Sequence, residues 1–138
     1  MGKVKVDAKL TNVFDEEKAR EGLIPETEVR SIIKEALVDT GATISQIPKN
    51  VAEILGLREW KKVKVTYANG LTEEKPAVKI IIEILGRAAN TSAIVEEKGK
   101  EILIGQVVLE ELDLVVDPKR GIIGPRPESP DMPLIELY

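Results

Sequence analysis

The feature that most restricts the fold is a period of two. Val4, Val6, Ala8 and Leu10 alternate with Lys3, Lys5, Asp7 and Lys9, which puts apolar side chains on one face of a strand and leaves the other face wet. The alternation returns over Lys62–Thr66, and apolar runs occupy Val29–Asp39, Ala77–Leu85, Ala88–Glu96 and Glu101–Ile104. Only four residues are aromatic, Phe14, Trp60, Tyr67 and Tyr138, so Ile, Val and Leu must fill the core. Branched side chains of that kind suit strands. The expectation is a single all-β domain, since 138 residues suffice to enclose a core without metal or disulfides.

Breaks in the pattern mark the connections. Gly22 and Pro25 within Phe14–Glu28 predict a long exposed loop. Pro48 fits a first helical position, Val51, Ile54 and Leu55 fall on one face, and Gly56 fits the end, so a short helix is expected over 48–55. Asn69-Gly70 predicts a hairpin tip because both turn positions tolerate positive φ. Pro76 should not lie mid-ladder, so regular pairing is expected to resume after it, over Ala77–Leu85. Gln106–Leu112 has helical spacing, and Leu114–Val116 with Ile122-Ile123 predicts a last strand pair about a turn. Domain 1–124 is followed by a Pro-rich tail, 125–138, with four prolines in PRPESPDMP. Its apolar end, Leu134–Tyr138, could be free, sit at a subunit interface or lie in a cleft. An internal echo, apolar residues then Asp39-Thr40-Gly41 then a helix against apolar residues then Gly105 then a helix, is compatible with two related halves.

The chemistry is bounded by what is missing. With no Cys and no His, Ser-His-Asp triads, Cys-His pairs, zinc fingers and thiolate redox chemistry are excluded. No set of acids has calcium-loop spacing, and no metal or cofactor is expected. A formal charge of −4 without a Lys/Arg block, and without aromatic platforms, gives nucleic acid no groove to bind. The longest apolar stretch, within KIIIEIL, is too short for a bilayer and the N-terminus lacks a signal h-region, so no membrane partner and a cytoplasmic location are expected.

One acid stands apart. In Ala36-Leu37-Val38-Asp39-Thr40-Gly41-Ala42-Thr43 a carboxylate closes an apolar run and is followed at once by Thr-Gly. Together with IPKNVAEILGL and the later ILIG, helix and LDLVVDPKRGIIG, the stretch resembles the retroviral-like (retropepsin-like) aspartic protease family across most of residues 1–124. A plain Asp-Gly turn is the bland reading of the motif alone. A phosphate loop of the sugar-kinase or actin kind would need two much larger lobes.

The resemblance implies a closed acid-protease barrel with one or two short helices. It also implies a homodimer whose active site lies at the subunit interface, one Asp-Thr-Gly loop coming from each copy. It assigns Asp39 to activation of water, Thr40 to orientation across the dimer and Gly41 to close backbone approach, with Ala42 lending small size and backbone. The acid would be buried at the strand end. Tyr67, Ala68, Asn69, Gly70 and Leu71 stand where the family carries its flap and are expected to contact a polypeptide substrate. Gln106 departs from the family, which usually has Arg there. The expected activity is aspartic endopeptidase; the alternative is a non-catalytic dimerisation or peptide-binding module of the same fold.

Overall fold

The computed structural model describes residues 4–137; Lys3, the first member of the opening alternation, and Tyr138, the end of the tail, lie outside them. Nine strands are found among the described residues: β1 Val4–Thr11, β2 Ser31–Val38, β3 Ser45–Pro48, β4 Glu59–Thr66, β5 Thr72–Ile84, β6 Arg87–Glu96, β7 Ile102–Ile104, β8 Leu114–Asp117 and β9 Ile122–Pro125. Helices α1 Val13–Arg20, α2 Lys49–Ile54 and α3 Gln106–Leu112 and a 3-10 turn, Glu26–Glu28, complete the chain. Six strands close a barrel in the order β1-β2-β7-β3-β6-β5, because β1 pairs with both β2 and β5. Closure leaves no open edge within the ring. β4 lies outside it, paired among the described residues only with β5.

Period-two burial holds where it was expected. Ile80, Ile82 and Ile84 of β5 are fully buried and pack with Leu10, Ile47, Leu55, Ile104, Leu109 and Leu112. Each such side chain contributes roughly 1.5–3 kcal/mol by leaving water.

Several expectations need correction. The predicted loop over Phe14–Glu28 contains α1 and the 3-10 turn, which brings the α-helices to three. α1 escaped because only Val13 and Asp15 are buried, so it has no apolar stripe. It is held instead by polar contacts: the Asn12 carboxamide oxygen accepts the Asp15 N–H at 3.0 Å, and its Nδ2 donates to the Leu55 carbonyl at 2.8 Å. Pro48 ends β3 and caps α2 in extended backbone rather than opening the helix.

Pro76 does lie inside the β4–β5 ladder, opposite Lys62, and pairing reaches Thr72. The Tyr67 N–H donates to the Leu71 carbonyl, so by alternation 65/73 and 63/75 are hydrogen-bonded pairs and 62/76 is not. The nitrogen of Pro76 therefore faces away from β4, on the side where β6 begins pairing only at Ala77. No bond is lost.

The tail folds back on its own chain. Asp113 ends α3 in left-handed backbone, and its carboxylate takes Arg126 Nε at 2.6 Å, Arg126 Nη2 at 3.1 Å and the Leu134 N–H at 3.0 Å. Buried Arg87 donates to the carbonyls of Leu112, Asp113 and Ser129. Arg87 thus satisfies the carbonyl of Leu112, the last residue of α3, and that of its cap Asp113.

Two buried carboxylates, Asp15 and Asp113, are held below their ordinary value of 3.8, Asp15 first by the Arg30 guanidinium and Asp113 first by that of Arg126. Both protonate earlier in the unfolded chain, so their stabilisation is complete only well above the ordinary 3.8, begins to drain about a unit above it and goes on falling with pH below it. Urea midpoints should therefore drop progressively from about pH 5 downward, and a flat profile would contradict the two pairs. Asp15→Ala removes bonds to Arg30 Nε at 2.8 Å, Nη2 at 3.1 Å and its N–H at 3.0 Å. With Arg30 half exposed, a loss of about 2 kcal/mol at neutral pH is expected from chemical unfolding.

Candidate active site

β2 and β7 run parallel in the register Ala36↔Ile102, Leu37↔Leu103, Val38↔Ile104. The two apolar runs that echo each other in sequence are thus neighbours, and continuing the register sets Gly105 against Asp39. The loop after each strand grips the other. The Asp39 N–H donates to the Ile104 carbonyl at 2.9 Å, the Gln106 N–H to that of Ala42 at 2.7 Å and the Val107 N–H to that of Thr43 at 3.1 Å. The Gly105 N–H donates to Oγ of Ser45, a buried hydroxyl, at 2.9 Å. The first amides of α3, which have no partner within the helix, are therefore capped by the Asp39 loop.

Within that loop the Asp39 carboxylate accepts the Gly41 N–H on Oδ1 at 3.0 Å, and its carbonyl accepts the Ala42 N–H at 3.1 Å. A side chain on Gly41 would place Cβ 3.3 Å from that same oxygen, so glycine leaves the carboxylate room. Asp39, Thr40 and Gly41 are exposed in the single chain and Ala42 is half-buried. In the single chain β7 covers the backbone of β2, but no described residue covers the carboxylate; the burial expected of it concerns a site shared by two chains. Thr40 makes no side-chain hydrogen bond within the chain among the described residues.

Gly105 and Ser45 are the site-shaping residues that the motif did not single out. A Cβ on Gly105 would lie 2.7 Å from the Ile44 carbonyl carbon, 2.8 Å from the Thr43 oxygen and 3.0 Å from the Ala42 oxygen. The glycine in ILIG was the available signal; Ser45 offered none, since its role depends on a partner 60 positions away.

Tyr67, Ala68, Asn69, Gly70 and Leu71 form the tip of the β4–β5 hairpin. The Gly70 N–H donates to the Tyr67 carbonyl at 2.9 Å, and the Leu71 N–H to the Asn69 side chain at 3.0 Å. Gly70 has φ +86° and Asn69 has no positive φ, so the tip is a three-residue loop and not the two-residue turn expected. Ala68, Asn69, Gly70 and Leu71 are exposed, whereas Tyr67 turns back toward the barrel, its hydroxyl 2.9 Å from Glu96 Oε1. No hydrogen bond among the described residues joins this tip to the Asp39 loop.

Among the described residues the Gln106 side chain reaches only Glu110, at 3.4 Å. Among the described residues no group of three or more acids is placed to hold a metal ion, and no helix is long and apolar enough to cross a membrane. The geometry can therefore supply one exposed carboxylate on a rigidly braced loop. The sequence profile of the gag-polyprotein putative aspartyl protease family matches residues 27–111, a span that includes both braced loops and the hairpin. No curated protein sequence matches the chain.

Proposed function

Because the chain belongs to the gag-polyprotein putative aspartyl protease family, we propose that it is an aspartic endopeptidase acting as a homodimer, Asp39 of each copy supplying half of the catalytic pair. The observation that carries this reading is the β2–β7 register, in which Asp39 is answered within its own subunit by Gly105 and not by a second acid. An exposed carboxylate with an exposed Thr beside it is the arrangement a second copy would complete.

Two carboxylates about 3 Å apart cannot both ionise, as in aspartic proteases generally, so the pair holds one proton between them. The ionised Asp39 accepts a proton from water as the water oxygen attacks the peptide carbonyl carbon. The protonated Asp39 meanwhile donates to the carbonyl oxygen. Collapse of the tetrahedral species breaks the C–N bond, with a carboxyl proton passing to the leaving nitrogen. Thr40 and Gly41 orient the loops, and the 67–71 turn covers an extended polypeptide.

The alternative, a non-catalytic module, draws on Gln106, whose side chain makes no ion pair at the start of α3. Mass measurement in solution combined with cleavage of a fluorogenic peptide across about pH 3–7, the range a shared proton suggests, tests both. A dimer that cleaves and is inhibited by pepstatin supports the protease. A dimer that never cleaves supports the module, and a strict monomer removes the paired acid.

A further inference from the structure

We propose that Tyr67, Glu96 and Lys75 form a latch that holds the hairpin turn against the barrel in the free chain and is released when an extended polypeptide enters. This rests on the reading of the hairpin as the cover of the Asp39 site.

The starting point is the ribbon's isolation. β5 pairs with β6 only from Ala77↔Ile94 inward, so from Lys62 and Pro76 to the tip the hairpin has two strands and no third neighbour among the described residues. Such a ribbon is marginal alone, and side-chain ties must set its position. Among the described residues those ties converge on Glu96, the last residue of β6. The Tyr67 hydroxyl donates to its Oε1 at 2.9 Å, and Lys75 Nζ lies 3.5 Å from its Oε2 while also pairing with Glu73 at 3.0 Å.

The cluster is more enclosed than an ordinary surface pair. The Lys75 and Glu96 side chains are each 16% exposed, against 55% and 63% for Lys5 and Glu35. The Tyr67 hydroxyl is pushed up, first by burial and then by Glu96, which keeps it a donor. Lys75 is raised by its carboxylate partners, Glu73 first.

Glu96 also lines an open cavity of about 340 Å³ with Gln46, Gly99, Lys100, Glu101 and Leu103. Gln46 follows Ser45, and Leu103 precedes Ile104, the two residues that brace the Asp39 loop. One carboxylate thus joins the cover to the groove flanking the site. A polypeptide entering that groove displaces the phenol from Glu96, and Lys75 retains Glu73 as the ribbon lifts. The latch stabilises only the empty state, so it lowers affinity by the fraction of chains held shut.

The test needs no knowledge of the natural substrate. Lysine acylation by an N-hydroxysuccinimide ester is followed residue by residue by mass spectrometry in the parent, Tyr67→Phe and Glu96→Ala. Loss of a hydrogen bond to a charged acceptor should speed labelling of Lys75 about tenfold in either variant, with Lys5 unchanged. For a fluorogenic peptide, KM of Glu96→Ala should fall about tenfold and carry the gain in kcat/KM. Lys75 labelling within about twofold of the parent in both variants, or a higher KM, overturns the latch. Faster Lys75 labelling in chains that never cleave peptide upholds the latch and removes the protease reading.

Discussion

Asp39→Asn is expected to abolish peptide hydrolysis, by about 10⁴-fold or more, while fold and assembly persist. General acid and general base catalysis each contribute up to about that factor, and in a homodimer the one substitution removes both carboxylates. The fold should survive because Asp39 is exposed and its one side-chain hydrogen bond among the described residues, from the Gly41 N–H, can be accepted equally by an amide oxygen. Mixing parent and variant subunits gives a sharper check: if each dimer needs both acids, activity falls with the square of the parent fraction. A linear fall would mean that one carboxylate per dimer is enough, and undiminished cleavage by the pure variant would end the mechanism.

Gly105→Ala should damage the site from beneath. Its Cβ would meet backbone at 2.7 Å and 2.8 Å, and backbone cannot rotate aside as a side chain can. Relief requires residues 42–44 to move off β7, stretching the bonds from the Gln106, Val107 and Gly105 amides. Overpacking and weakened hydrogen bonds together predict roughly 3 kcal/mol, or a Tm about 10 °C lower for a chain of this size. A displacement of the carboxylate by about 1 Å would cost roughly a further 10²-fold in hydrolysis. Gly124→Ala is the control, since nothing lies within 4 Å of its Cβ. A Gly105→Ala melting curve matching that of Gly124→Ala would refute the close approach.

The parts of the fold legible in sequence were those written in local pattern. Alternation marked β1 and the Lys62–Thr66 arm of the hairpin, an apolar run marked the inner half of β5, and Gly41, Gly56 and Gly105 marked where runs stop. α1 was missed because it has no apolar stripe, although Asn12 three residues before Asp15 was a legible capping signal. β3 was missed because four residues, SQIP, carry no period of their own and become a strand only by lying between β6 and β7. The turn at Asn69-Gly70 was placed correctly but mistyped, since the dipeptide serves either loop length and the facing strands select between them.

What the sequence alone determined was a chain of short strands and one acid that closes an apolar run and is followed by Thr40, Gly41 and Ala42. Steric periodicity and turn preferences act over a few residues and are readable there. Tertiary structure decided that β2 meets β7 in parallel, that Gly105 rather than an acid faces Asp39, that Ser45 braces the loop, and that Tyr67 turns back to Glu96. Each of those depends on which distant segments share a ladder and in what register. Barrel closure sets that register, and no local window contains it.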